Sequence, residues 1–374
     1  MIPINNIISN KINARICRKE SITDSETIQG ILNECCSDLE IPAPTLICCD
    51  TLTKSLSAFT LKKKPYIIYD NGLIEALYIF NSITATDCNS TDIDKLFYKL
   101  FAEEMALKGD LHYSLYFTEK YGQYSFSFDA AQTNDTDYIR HQLTYQIYFL
   151  IGHELTHLAL KQYDKWVIPD KFSRIIQVAT RMLTERFVKG GMTEKEVLSR
   201  ISGYFLKEEI HSLDEYMNLI VKSDRFIHFV EECYCDFKGF KLLMEHYANP
   251  DEAIGAITNT LNFLIILESI KSDLSDGIHK LNNIKKEAED TLYFSVLRVQ
   301  VLLIILQMNE VQEIIITLSG VKDCSVITER LETFIELLSN EESFRIINSS
   351  VFQDINNHDL LSYVVKKLYY CSVF

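Results

Sequence analysis

The sequence has no uncharged apolar run of the ~18 residues that a bilayer-crossing helix needs. Its two most apolar stretches, LNFLIILESI (261–270) and VLRVQVLLIILQM (296–308), stop short of that length. They are expected to be buried helices, and no membrane span is expected. Glycine and proline are scarce, at 12 and 6 in 374 residues. That excludes a Gly- or Pro-rich linker and extended low-complexity disorder, so regular structure is expected nearly throughout. Positive charge is short as well. A net charge of −15 repels a polyanion, so nucleic acid is not an expected partner. The lone basic run, Lys62 to Lys64, reads as a solvated hairpin turn. No apolar h-region is present in MIPINNIISNKINARICRKE, so no signal peptide is expected. There is also no G-x-x-x-x-G-K-[ST] loop, hence no sign of nucleotide dependence.

Ten cysteines are present, but as two adjacent pairs and a wide scatter they do not form a disulfide framework. Reduced thiols in a cytoplasm are expected. Cys233 and Cys235 lack the C-x-x-C spacing of a structural zinc site. The length suggests two domains, or one with a large helical extension.

Helical and strand signals then divide the chain. Residues 22–40 carry capping oxygens followed by Ile28, Ile31, Leu32 and Leu39 at helical spacing, and IPAP (41–44) ends them. TLICCD (45–50) is a strand candidate. SLSAFTL (55–61) and PYIIYD (65–70) form the arms of a hairpin around the lysines. NGLIEALYIF (71–80) opens a helix, and IDKLFYKLFAEEMALKG is a second one. HYSLYFTEKYGQYSFSFDAA reads as aromatic and β-like. NDTD (134–137) caps a long helix over 138–161. Helices follow to residue 246, with a break at Gly190–Gly191 and a new start at Asn249–Pro250. The expected fold is α+β and mostly α, with a small N-terminal antiparallel sheet. Residues 1–249 form one domain with helical insertions. Residues 250–374 form an all-α region that covers a cleft or binds a regulatory partner.

The chemistry concentrates in FLIGHELTHLAL (149–160). His153 and His157 lie four apart, which on a helix sets them ~40° from each other around the axis and one turn apart along it. Two imidazoles so placed can share one metal ion. Glu154, ~100° further round, can reach a water on that metal instead of competing as a ligand. A catalytic zinc needs a third protein ligand and an open position. HFVEECYCDFKGF (228–240) offers Glu232 as that ligand and, four residues on, Asp236 as an acceptor for the other ring N–H of a ligand histidine. Glu231 and His228 are placed to substitute for Glu232, so the residues alone leave the third ligand open.

Taken together, these segments resemble gluzincin metallopeptidases, in particular the family of the CAAX prenyl proteases and bacterial heat-shock membrane proteases. LNECCSDLEIPAPTLICCDTLTKSLSAFTLKKKPYIIYDNGLIEAL (32–77) is similar to that family's lead-in, including the strand that forms the edge of the active site. IGHELTHLAL matches its zinc helix. EECYCDFKG matches its E-x-x-A-D-x-x-G helix, with Glu232, Cys235, Asp236 and Gly239 in the corresponding places. The resemblance implies that His153, His157 and Glu232 bind Zn2+, that Glu154 is the general base, and that Asp236 supports a ligand histidine. It departs at Ser57, where the family has Asn, in the long gaps between blocks, and in lacking membrane helices. A divergent soluble relative is implied.

The implied function is zinc-dependent hydrolysis of a protein or peptide substrate in the cytoplasm, with the strand at 65–70 as the edge that pairs with the substrate. The oxyanion donor is open among His228, His246, Tyr247 and Arg298, each of which reads first as a structural residue, and Arg298, opening the apolar helix VLRVQVLL, reads as a cap or a pairing residue there. The alternative is a catalytically silent gluzincin-fold binding or regulatory protein of a phage-defence or toxin type.

Overall fold

A computed structural model describes residues 17–19, 26–85, 90–126, 136–162, 167–205, 212–220, 222–247, 249–275, 297–298, 301–302, 363–364 and 366–368. It is mostly helical with one small mixed sheet, an α+β fold. Strands β1 (Cys17–Lys19), β2 (Thr45–Thr51), β3 (Leu56–Leu61) and β4 (Lys64–Asp70) lie in the order β1-β2-β4-β3. The sheet departs from the all-antiparallel expectation, because β2 and β4 run parallel, with Ile47 opposite Ile68. The lysine hairpin forms as expected. Lys62 and Lys63 both take positive φ (50° and 64°), the pattern of a tight primed turn, and remain exposed.

This strand order overturns one expectation. The strand at 65–70 is not an edge, since β4 is paired on both sides, by β2 and by β3. The edge beside the helical layer is β3. An apolar run such as PYIIYD is what an interior strand carries, with Ile67, Ile68 and Tyr69 buried.

Ten described helices follow the first strand: α1 (Glu26–Asp38), α2 (Asn71–Ala85), α3 (Ser90–Lys108), α4 (Leu111–Gln123), α5 (Thr136–Gln162), α6 (Lys171–Lys189), α7 (Glu194–Phe205), α8 (Leu213–Ile220), α9 (Asp224–His246) and α10 (Pro250–Ser275). The segment beginning HYSLYF is α4 and not β-like. Asp110 caps it by accepting from Tyr113 N, and its aromatics pack inward at helical spacing as Tyr113, Phe117 and Tyr121. Aromatic content favoured the strand reading, and packing against α3 overrode that propensity. Between α8 and α9 the chain turns at Lys222–Ser223. The end of the HYSLYF segment, the start of the 134–137 cap and most of 296–308 lie outside the described residues.

Helix α5 is buried nearly all round from Gln142 to Ala159, the pattern of a central helix. It packs on α1, α2, β3, α9 and α10. Two cores meet along α9. Phe240, Leu242 and Leu243 at its C-terminal end join the larger core with α1 to α5 and α10. Phe226, Phe229, Val230, Cys233 and Tyr234 at its start join a second core with α6, α7 and α8. Packing is continuous across residue 250, because Ala253, Ile257, Leu261 and Phe263 of α10, together with Val364 and Leu368, belong to the larger core. Among the described residues, Cys35, Cys36, Cys48, Cys49, Cys233 and Cys235 are buried thiols outside any disulfide. Among the described residues, no helix is long and apolar enough to cross a membrane.

The loop from β2 to β3 is tied down by Asp70. Its carboxylate accepts from Thr51 N at 2.9 Å, Ser55 N at 3.2 Å, Gly72 N at 2.9 Å and the Thr51 hydroxyl. Burial pushes the Asp70 carboxyl above its ordinary 3.8, against the opposing pull of those hydrogen bonds. Asp70→Ala leaves several buried donors without an acceptor and is expected to cost on the order of 3 kcal/mol in denaturant unfolding. The sign with pH follows from the raised value. The proton-linked contribution of Asp70 is fully present in acid and is lost as pH rises through its folded value. The stability gap between wild type and Asp70→Asn is therefore expected to shift against wild type over that rise.

Candidate metal centre

The centre lies where α5 crosses α9, at the seam between the two cores. The helices approach closely because two glycines face each other there. A Cβ on Gly152 would stand 3.1 Å from Gly239 Cα, and one on Gly239 would stand 2.6 Å from the Phe149 carbonyl oxygen. That contact brings His153 and His157 against the middle of α9.

The two Nε2 atoms are 3.1 Å apart. Glu232 places Oε2 3.4 Å from His153 Nε2 and Oε1 3.2 Å from His157 Nε2. Both rings are held from behind. His153 Nδ1 is 2.9 Å from Asp236 Oδ1, and His157 Nδ1 is 2.6 Å from Glu231 Oε1. A carboxylate at Nδ1 requires the proton there, and so directs the Nε2 lone pairs toward one another and toward Glu232. Two facing lone pairs beside a carboxylate demand a cation between them. The charges agree. Around the centre stand four carboxylates (Glu154, Glu231, Glu232 and Asp236) and two cations, Arg298 and Lys161, the latter 3.4 Å from Glu231. With all four ionised and both rings neutral, the set carries a net charge of −2, which a divalent ion cancels. His153, His157 and Glu232 can hold a metal ion.

The acid–base balance of these groups runs the same way. Burial lowers the His153 pKa, but its hydrogen bonds to Asp236 and Glu232 outweigh that and raise it to about 10. Burial works to raise Glu232, yet contacts with His153, His157 and Arg298 hold it well below the usual carboxylate range. Glu154 moves the other way. Burial pushes its carboxyl up, opposed by both histidines and by the Ala58 N–H, which donates to Glu154 Oε2 at 2.8 Å. The base candidate is thus a carboxylate whose pKa burial raises and which is anchored to the edge strand β3.

A cleft of about 680 Å³ opens over these groups. Its lining includes Ser55 and Ser57, the apolar Leu73, Leu107 and Leu267, and His153, Glu154, Glu232 and Arg298. Ser57 of β3 and Leu267 of α10 both line it, so the region after residue 250 contributes to the cleft.

Comparison with family models, with curated proteins and with solved structures finds no match to this chain. Its chemistry is therefore read from its own residues. Of the candidates raised by the sequence, His153, His157, Glu154, Glu232 and Asp236 come together. Glu231 lies behind His157, at Nδ1, while Glu232 is the carboxylate grouped with the two Nε2 atoms, a distinction that no spacing argument made. His228 is exposed, with Nε2 3.8 Å from Glu232 Oε1, outside the converging set. His246 and Tyr247 lie elsewhere. His246 pairs with Asp38 at 2.7 Å, and Tyr247 packs edge-on against Tyr145 and Tyr148. The guanidinium of Arg298 is engaged by Asp236.

Proposed function

We propose that this chain is a zinc-dependent endopeptidase of gluzincin type, a divergent relative of the CAAX prenyl protease and heat-shock membrane protease family, acting on a protein or peptide substrate in the cytoplasm. One observation carries the reading: two Nε2 atoms and the Glu232 carboxylate converge within hydrogen-bonding distances, with Glu154 lining the same open cleft. Two imidazoles and one carboxylate are the ligand set of a hydrolytic zinc site. A zinc ion bound there supplies Lewis acidity toward a carbonyl oxygen and lowers the pKa of a coordinated water toward ~7.

The remaining work falls to side chains. Glu154 accepts the water's proton and delivers it to the leaving nitrogen, and its raised pKa suits both steps. Its bond to Ala58 N keeps the carboxylate at the strand along which a substrate backbone would lie. Asp236 and Glu231 hold the two rings in the metal-binding tautomer. The wall formed by Leu73, Leu107 and Leu267 accepts apolar side chains.

Purified protein is expected to contain about one zinc per chain by elemental analysis, as one centre implies. Removing it with a chelator should abolish hydrolysis of a susceptible protein, and added zinc should restore it. Protein lacking bound zinc after purification and after zinc supplementation would sink the reading. Substrates follow from comparing new protein termini in cells expressing wild type and Glu154→Gln.

A further inference from the structure

Arg298 lies 62 positions beyond Asp236, yet it reaches two carboxylates of the centre. Its Nε donates to Asp236 Oδ2 at 2.8 Å and its Nη2 to Oδ1 at 2.7 Å. Nη1 stands 3.3 Å from Glu232 Oε2. The side chain is 15% exposed, so these contacts are shielded from water. Its neighbours seat the segment independently. Leu297 and Val301 are buried in the second core, and Leu302 in the first.

We infer that Arg298 is a positioning residue for the metal, fixing Asp236 behind His153 and restraining Glu232 in front of it. The inference rests on the metal reading of the centre. Asp236 Oδ1 accepts from His153 Nδ1 and Arg298 Nη2 together. The terminal torsion of a carboxylate is soft and broad. A planar fork gripping both oxygens removes that freedom, and the fixed carboxylate in turn fixes the imidazole plane. Nη1 applies a second restraint on the opposite side, at the carboxylate that faces both Nε2 atoms. A lysine supplies charge but not two parallel bonds. Metal affinity in a centre built on α5 and α9 thereby depends on a residue from the chain beyond α10. The C-terminal region takes part in the centre in addition to walling the cleft.

The test uses the full-length chain and the variants Arg298→Ala and Arg298→Lys. Zinc affinity is measured by competition with a chromophoric chelator, and ligand geometry by the visible spectrum of the Co2+-loaded protein. Thermal unfolding of the metal-free forms shows that each variant is folded. R298A is expected to bind zinc roughly ten- to a hundred-fold more weakly and to alter the Co2+ spectrum. R298K should fall between it and wild type, and millimolar guanidinium should recover part of the R298A loss. Zinc binding and a Co2+ spectrum equal to wild type in R298A would overturn the inference. A loss in R298A that neither lysine nor guanidinium eases would also overturn it, because packing alone would then account for the defect. If R298A does not fold, R298K decides, and wild-type affinity and spectrum in that variant count against the inference. Wild type that binds no zinc at all removes the metal reading itself, a result distinct from any of these.

Discussion

Glu154→Gln is expected to keep its zinc and lose hydrolysis by roughly 10²–10⁴-fold, the range for deleting a positioned general base. The substitution is nearly isosteric, and the amide oxygen can still accept from Ala58 N, the one bond that Glu154 makes to β3. Ligand geometry is untouched, since His153, His157 and Glu232 are held from behind by Asp236, Glu231 and Arg298 and not by Glu154. What disappears is a carboxylate whose pKa burial has raised, and the amide that replaces it cannot take up a proton there. Measuring zinc content and cleavage rate on the same preparation separates the two effects. Equal rates for wild type and variant, each with zinc retained, would favour a binding or regulatory protein that carries the centre without turnover. Zinc lost along with activity would mean that Glu154 belongs to the ligand set, contrary to the roles assigned here.

Gly239→Val should remove the metal centre without altering any of its side chains. Position 239 is where α9 comes closest to α5, and a Cβ there meets the Phe149 carbonyl oxygen at 2.6 Å and His153 N at 3.1 Å. Those atoms are backbone in a buried helix and do not yield as a side-chain end would. The helices must separate, at a cost of about 1–3 kcal/mol or more. His153 is carried on the displaced helix, and its Nε2 lies only 3.4 Å from Glu232, so a small separation breaks the convergence. Chemical denaturation should show the destabilisation, and titration with zinc should show affinity lost in the fraction that remains folded. Gly255→Ala is the control. It is an exposed helical glycine where an added Cβ would meet nothing within 4 Å, and the change should be neutral or stabilising by up to ~1 kcal/mol. Wild-type zinc affinity in G239V would show that the glycine contact is incidental to the centre.

Much of the fold was legible because its signals are local. Periodicity and caps place α1, α2, α3, α5 and α10, and the lysine hairpin follows from two β-rich arms around an exposed turn. The failures were non-local. Whether an apolar strand is interior or at the edge depends on which partners add to it, and β4 acquires one on each side. The aromatic segment at 111–123 folds as a helix because α3 provides a surface for one face of it, a fact absent from its own residues.

The sequence by itself determined the pitch of the centre. His153 and His157 share a face whatever the rest of the chain does, because four residues are close to one turn, and Glu154 is held off that face by the same geometry. It also determined that a second helix carries acids four apart, at Glu232 and Asp236. Tertiary structure decided which of two neighbouring glutamates faces the imidazoles. Glu231 and Glu232 differ by ~100° about α9, and the rotation of that helix is set by burying Phe229, Val230 and Cys233 on one core and Phe240 and Leu243 on the other. It decided that β3, not β4, borders the cleft. It also brought in Arg298, since a contact across 62 positions leaves no trace in local periodicity and exists only because Leu297, Val301 and Leu302 are buried at the seam where α5 and α9 cross.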